Sequence, residues 1–149
     1  MSKKKQSNLL VTIQSGIIAG FIATAIGNFL GLVTHGISQT YYIETSISAV
    51  TMAALSIGIS ASICYYFLNM VTRFAHDILT IVGLTIPTII SIFVLTNDFY
   101  DTTFKVIAIT ISYAVTLTIV ILVPWLQSRS QTRTAKHDTD SHHRSTHKK

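Results

Sequence analysis

Charge is scarce in this chain of 149 residues. Asp, Glu, Lys and Arg make up 11% of it, against about 25% in a soluble domain. A soluble protein so poor in charge could not cover its surface, and 49% of the residues are hydrophobic. Lipid is the solvent that suits such a composition. There is one cysteine, Cys64, inside an apolar run. It excludes an internal disulfide, leaves the redox compartment open and reads as a small buried hydrophobe. Glycine-rich phosphate loops, HExxH, CxxC pairs and nucleophile elbows are all missing.

The few charges are confined to short stretches. None lies between Lys5 and Glu44, between Glu44 and Arg73, between Asp77 and Asp98, or between Lys105 and Arg129. A transmembrane helix needs about 20 mostly apolar residues, and each stretch supplies one. The expected spans are Leu9–Val33, Ile47–Met70, Ile78–Leu95 and Val106–Leu126. At about 1.5 Å per residue the third reaches roughly 27 Å and barely crosses, while the first reaches roughly 37 Å and must tilt or protrude. Ile, Val and Thr favour strands in water. A strand in lipid belongs to a closed barrel with alternating polarity, and Ile78–Leu95 does not alternate.

The connections Thr34–Ser46, Val71–Asp77 and Thr96–Lys105 are short, which makes sequential helices antiparallel neighbours. The expected fold is an all-α transmembrane four-helix bundle, up-down, with residues 1–8 as a basic N-terminus, 9–126 as the membrane domain and 127–149 as a disordered tail. No repeat relates the two halves, which argues against an inverted-repeat transporter. Lys3–Lys5 before an apolar stretch, with Ala23-Thr24-Ala25 behind it, resembles a signal peptide. The apolar run continues eight residues past Ala25, longer than a cleaved core of about 7–15 residues, so it reads as a retained span.

The net charge is +5. With four spans, Lys3–Lys5, Arg73 and the six basic residues from Arg129 to Lys149 share one side, ten of the eleven Lys and Arg; Lys105 stands alone on the other with Glu44, Asp98 and Asp101. The positive-inside rule makes both termini and the Arg73 loop cytoplasmic. Tyr41, Tyr42, Phe99 and Tyr100 fall near one interface, Tyr65, Tyr66 and Trp125 near the other, where amphipathic rings belong. Nucleic-acid binding is excluded, since no folded basic domain remains to carry it.

Gly16, Gly20, Ala23, Gly27 and Gly31 recur at steps of four, three, four and four on the first span. Small residues let helix backbones approach closely in lipid. Matching stripes are Ala54, Gly58 and Ser62 on the second span, Gly83, Pro87 and Ser91 on the third, and Ala108, Ser112 and Thr116 on the fourth. Pro87 should kink its helix. A tight intramolecular bundle is expected ahead of a dimer through the first span.

No Asp, Glu, Lys or Arg stands within a span, which argues against proton relays, ion-coupled carriers and voltage sensors. The strongest polar feature is Thr24, Asn28 and His35, on one face beside the glycine stripe. It reads as structural contacts, or as a shallow ligand pocket, in which case Asn28→Leu would abolish transport. His76 and Asp77 are adjacent, but no nucleophile accompanies them; Asp77 is a candidate cap for the third helix. His137, Asp138, Asp140, His142, His143 and His147 match no closed metal site, and no cofactor is expected.

Ala19–Leu32 (AGFIATAIGNFLGL), Arg73–Leu95 (RFAHDILTIVGLTIPTIISIFVL) and Ile111–Leu126 (ISYAVTLTIVILVPWL) together resemble a family of small uncharacterised bacterial membrane proteins with four spans. Shared features are the small-residue first helix with Asn28, the basic loop before span three and Pro124 ending span four. The resemblance implies a bacterial plasma membrane and no particular activity. The sequence reads as a non-enzymatic membrane protein that touches lipid, itself or another membrane protein, acting as a helix-contact partner or regulator. The alternative is a carrier or channel for a small neutral or amphipathic solute.

Overall fold

The computed structural model describes the backbone of residues 3–38, 42 and 45–146, and the side chains of 9–38, 42 and 45–129. Four helices account for nearly all of it: α1 (Lys3–Ser38), α2 (Ile47–Val71), α3 (Ala75–Thr96) and α4 (Thr102–Thr146). Each has a segment long and apolar enough to cross a membrane: Leu9–Ser38, Ile47–Val71, Ala75–Thr96 and Thr102–Arg129. The described residues include no strand. This is an all-α bundle of a multi-pass membrane protein.

All four spans run past their expected bounds, α2 by a single residue and α1 to Ser38 rather than Val33. α3 begins at Ala75 and ends at Thr96, so its 22 residues reach about 33 Å and cross the hydrocarbon with room to spare. Its N-cap is Phe74, and Asp77 stands inside the first turn without a side-chain cap bond; a carboxylate there still faces the unpaired N–H groups favourably. α4 passes Pro124 and Leu126 and keeps helical backbone to Thr146. The stretch from Gln127, expected to lack structure, thus continues the helix. Extending an existing helix needs no new nucleus.

The helices meet in antiparallel sequence order. Gly16 lies against Gly58 and Ser62, Gly20 against Ala54 and Leu55, and Gly27 against Val50 and Val115. Gly31 faces Ile111 in ordinary contact. The α1 stripe therefore sits inside the bundle, between α2 and α4. On α2, Val50, Ala54, Gly58 and Ser62 are buried at four-residue spacing. The buried face of α4 runs through Phe104, Ile107, Ile111, Val115, Ile119 and Val123, so α4 is the central helix and touches the other three. α3 leans on α4, where Gly83 leaves space that Val120 occupies. Pro87 is buried within α3. α2 and α3 touch little, and this open seam is the main departure from a closed four-helix ring.

Each end of the bundle carries a polar fastening. At the end with the termini, the Ser62 hydroxyl donates to the Thr12 carbonyl. The Gln127 amide donates to the Ser62 carbonyl at 3.1 Å and hydroxyl at 2.9 Å. This joins α1, α2 and α4 among residues that are nearly fully buried. Arg129 covers the Trp125 ring at 4.2 Å from its centroid, a cation–π contact.

At the far end, the Tyr42 hydroxyl donates to the Asp101 carboxylate at 2.7 Å. Asp101 also caps α4 by accepting from the Phe104 N–H at 2.8 Å. Tyr42 packs edge-on against Phe104, which stacks on Tyr100. The clasp joins the α1–α2 connection to the start of α4. Tyr41 and Glu44 lie outside the described residues.

The Tyr42 hydroxyl, followed by the Phe104 N–H, holds the Asp101 carboxyl below its ordinary value of 3.8. A carboxyl lowered on folding contributes stability above its ordinary value and loses it as pH falls through the lowered one. Thermal unfolding should therefore show the clasp weakening only on acidification below pH 3.8. In Tyr42→Phe the Asp101 titration, followed by carboxyl NMR, should move back up; an unmoved titration would disprove the clasp.

Candidate functional site

The polar residues singled out on α1 divide between two environments. His35 Nε2 and the Thr45 hydroxyl are 3.1 Å apart. Asn28 Nδ2 donates to the Thr51 hydroxyl at 3.2 Å, and Thr51 donates in turn to the Ile47 carbonyl. Asn28, Gly31, Leu32, His35, Thr45 and Ile47 enclose a cavity of about 80 Å³. Thr24 lies one turn away and does not line it. The Thr24 hydroxyl and the Asn28 Oδ1 are both buried without a hydrogen-bond partner.

Size decides what this pocket can do. Liquid water takes about 30 Å³ per molecule, so 80 Å³ admits roughly two waters. Ligand pockets run to about 300–1,000 Å³. The arrangement suits water held between α1 and the start of α2, and an interhelical polar contact in a membrane contributes only about 0.6 kcal/mol. Asn28→Leu, which removes that contact and the unpaired Oδ1 together, should change unfolding free energy by less than about 1 kcal/mol. It should leave any solute transfer intact; a transport defect would restore the α1 face as a solute site.

The larger space lies along the seam between α2 and α3, with α4 as its floor. A lobe of about 310 Å³ occupies the far half, lined among others by Ala49, Ala53, Phe93, Ala108 and Ser112. A second lobe of about 320 Å³ occupies the half nearer the termini, lined among others by Ser56, Ser60, Cys64, Val82 and Ile86. Ile57 and Thr116 line both lobes and form the waist between them. From Ala49 to Cys64 the cleft runs about 22 Å along α2, most of the hydrocarbon thickness.

Why the cleft exists follows from side-chain size. The α2 face toward α3 presents Ala49, Ala53, Ser56, Ser60 and Cys64, side chains too short to reach across. α3 is drawn to α4 instead by the Gly83–Val120 fit. The stripe Ala108, Ser112 and Thr116 borders this cleft and is not the main core face of α4. Cys64 is not a buried filler; it is exposed and lines the cleft.

Other candidates do not assemble. His76 and Asp77 are exposed on the first turn of α3. Among the described residues no group of His, Cys, Asp and Glu could hold a metal. The His-rich segment from His137 to His147 lies outside the described side chains. The chain matches no known family, no curated protein and no solved structure.

Proposed function

We propose that the protein is a non-enzymatic carrier or binding protein for a small neutral or amphipathic solute that it takes from the bilayer. It sits in a bacterial plasma membrane with both termini in the cytoplasm. The observation that carries this reading is the α2–α3 cleft, open on its lipid side and of ligand size in each lobe. The α1 glycine stripe, the surface that suggested a helix partner, faces α2 and α4, which turns the weight from partner to solute. Ten of eleven Lys and Arg on one side support the orientation, and the absence of charge in the spans supports uncoupled movement.

Purified protein in liposomes should speed the exchange between leaflets of a fluorescent long-chain alcohol. Ser60→Phe, which fills the lobe nearer the termini, should return the rate to that of empty liposomes. Equal rates with and without protein would refute carriage.

A further inference from the structure

We infer that the waist of the α2–α3 cleft recognises a neutral lipophile: an aliphatic chain carrying one uncharged hydrogen-bonding group, such as a hydroxyl or a carbonyl. The inference rests on the solute reading above and states what that solute must look like.

Thr116 carries the argument. It is only 6% exposed, and it lines both lobes. Its neighbours on α4, Thr110 and Thr118, donate to carbonyls one turn back, at 2.8 and 2.7 Å. Helical threonines ordinarily satisfy themselves this way. The Thr116 hydroxyl makes no hydrogen bond within the chain. Its methyl is turned toward Gly83, which leaves the hydroxyl to the cleft. The oxygen is not sealed in, since the buried unpartnered oxygens among the described residues are those of Thr24 and Asn28; it opens into an otherwise apolar cleft, where a bonding group of an occupant can reach it.

Ser112 lies one turn along α4 in the far lobe. Ser56 and Ser60 flank Ile57 across the waist. Hydroxyls thus gather at mid-depth, and the rest of the lining is largely apolar. No Asp, Glu, Lys or Arg lines either lobe, so a charged group would enter without a counter-charge and is rejected. The occupant is a chain and not a helix. Each lobe, about 310 and 320 Å³, is of the size that a small ligand fills.

The test uses the full chain in lipid nanodiscs with hexadecanol bearing a mid-chain diazirine. After photolysis the modified residues are mapped by peptide mass spectrometry. Labelling should concentrate on Ser60, Cys64 and Gly83. Excess hexadecanol should compete it away; hexadecane, which lacks the hydroxyl, should not. Thr116→Val should weaken the competition about five-fold, as expected for one hydrogen bond, and Thr116→Ser should retain it.

Uncompeted labelling spread over the lipid-facing Ile81, Ile89 and Ile92 would overturn the inference. So would equal competition by hexadecane, or an unchanged result in Thr116→Val. Disulfide-linked dimers formed through Cys64, with the label excluded, would overturn it in favour of a second copy. Competed labelling without leaflet exchange supports the site while refuting carriage; exchange without competed labelling does the reverse.

Discussion

Gly58→Ala is expected to destabilise the bundle by about 3 kcal/mol, one of the largest effects a single added methyl can have. A Cβ at Gly58 would stand 2.7 Å from the Gly16 carbonyl oxygen, 2.9 Å from the Gly20 Cα and 3.0 Å from the Gly20 nitrogen. All three are backbone atoms, so no side chain can rotate away, and α1 must move as a body. That movement loosens the contacts of Ala19 and Ala23, which are fully buried. It also pulls Thr12 from the Ser62 hydroxyl. In water the methyl would gain helix propensity worth about 1 kcal/mol, but membrane helices persist when the bundle comes apart, so little of that gain remains. Gly16→Ala should behave similarly, since its Cβ meets the Gly58 oxygen and the Ser62 Cβ at 2.8 Å.

The control is Gly36→Ala. Nothing lies within 4 Å of a Cβ there, and the change should stay within about 0.5 kcal/mol of neutral. Gly31→Ala should be tolerated as well, because its nearest neighbours are the Ile111 Cδ1 at 3.6 Å and the Thr45 oxygen at 3.9 Å. Equilibrium unfolding in mixed micelles reads the series. If Gly58→Ala and Gly36→Ala cost the same, the close crossing of α1 and α2 is wrong.

Four apolar helices were legible because the charge-free stretches are longer than a bilayer needs, and no soluble alternative suits so little charge. Helix ends were less so. The start of α3 lies within Ala75–Asp77, where a histidine and an aspartate interrupt the apolar run although the backbone is already helical. The cleft was not legible, for a geometric reason. On α4, Ile107–Ile111–Val115 and Ala108–Ser112–Thr116 are adjacent rows with the same four-residue spacing. Periodicity cannot say which row faces the core. What decides is the Gly83–Val120 fit, a contact between helices. Thr24, Asn28 and His35 share a face of α1 by spacing alone, but spacing carries no information on cavity size, and the space there is only about 80 Å³.

Gln127 was missed because a boundary drawn where apolar residues stop falls at Leu126. A signal was present: Ile119, Val123 and Gln127 are spaced by four, so Gln127 extends the buried row. It is 4% exposed. Gln127→Glu is therefore expected to cost about 3–5 kcal/mol, the penalty of a buried charge without a partner. The substitution keeps shape and removes both donors. A carboxylate would then face the Ser62 carbonyl, and a Ser62 hydroxyl whose hydrogen is already given to Thr12. Gln127→Leu removes the same donors without adding charge and should cost only about 1–2 kcal/mol. The gap between the two is the diagnostic quantity. A glutamine in a solvated tail would tolerate both changes, whereas one enclosed by α1, α2 and α4 must distinguish them. Equal, small effects in equilibrium unfolding would return the end of the bundle to Leu126.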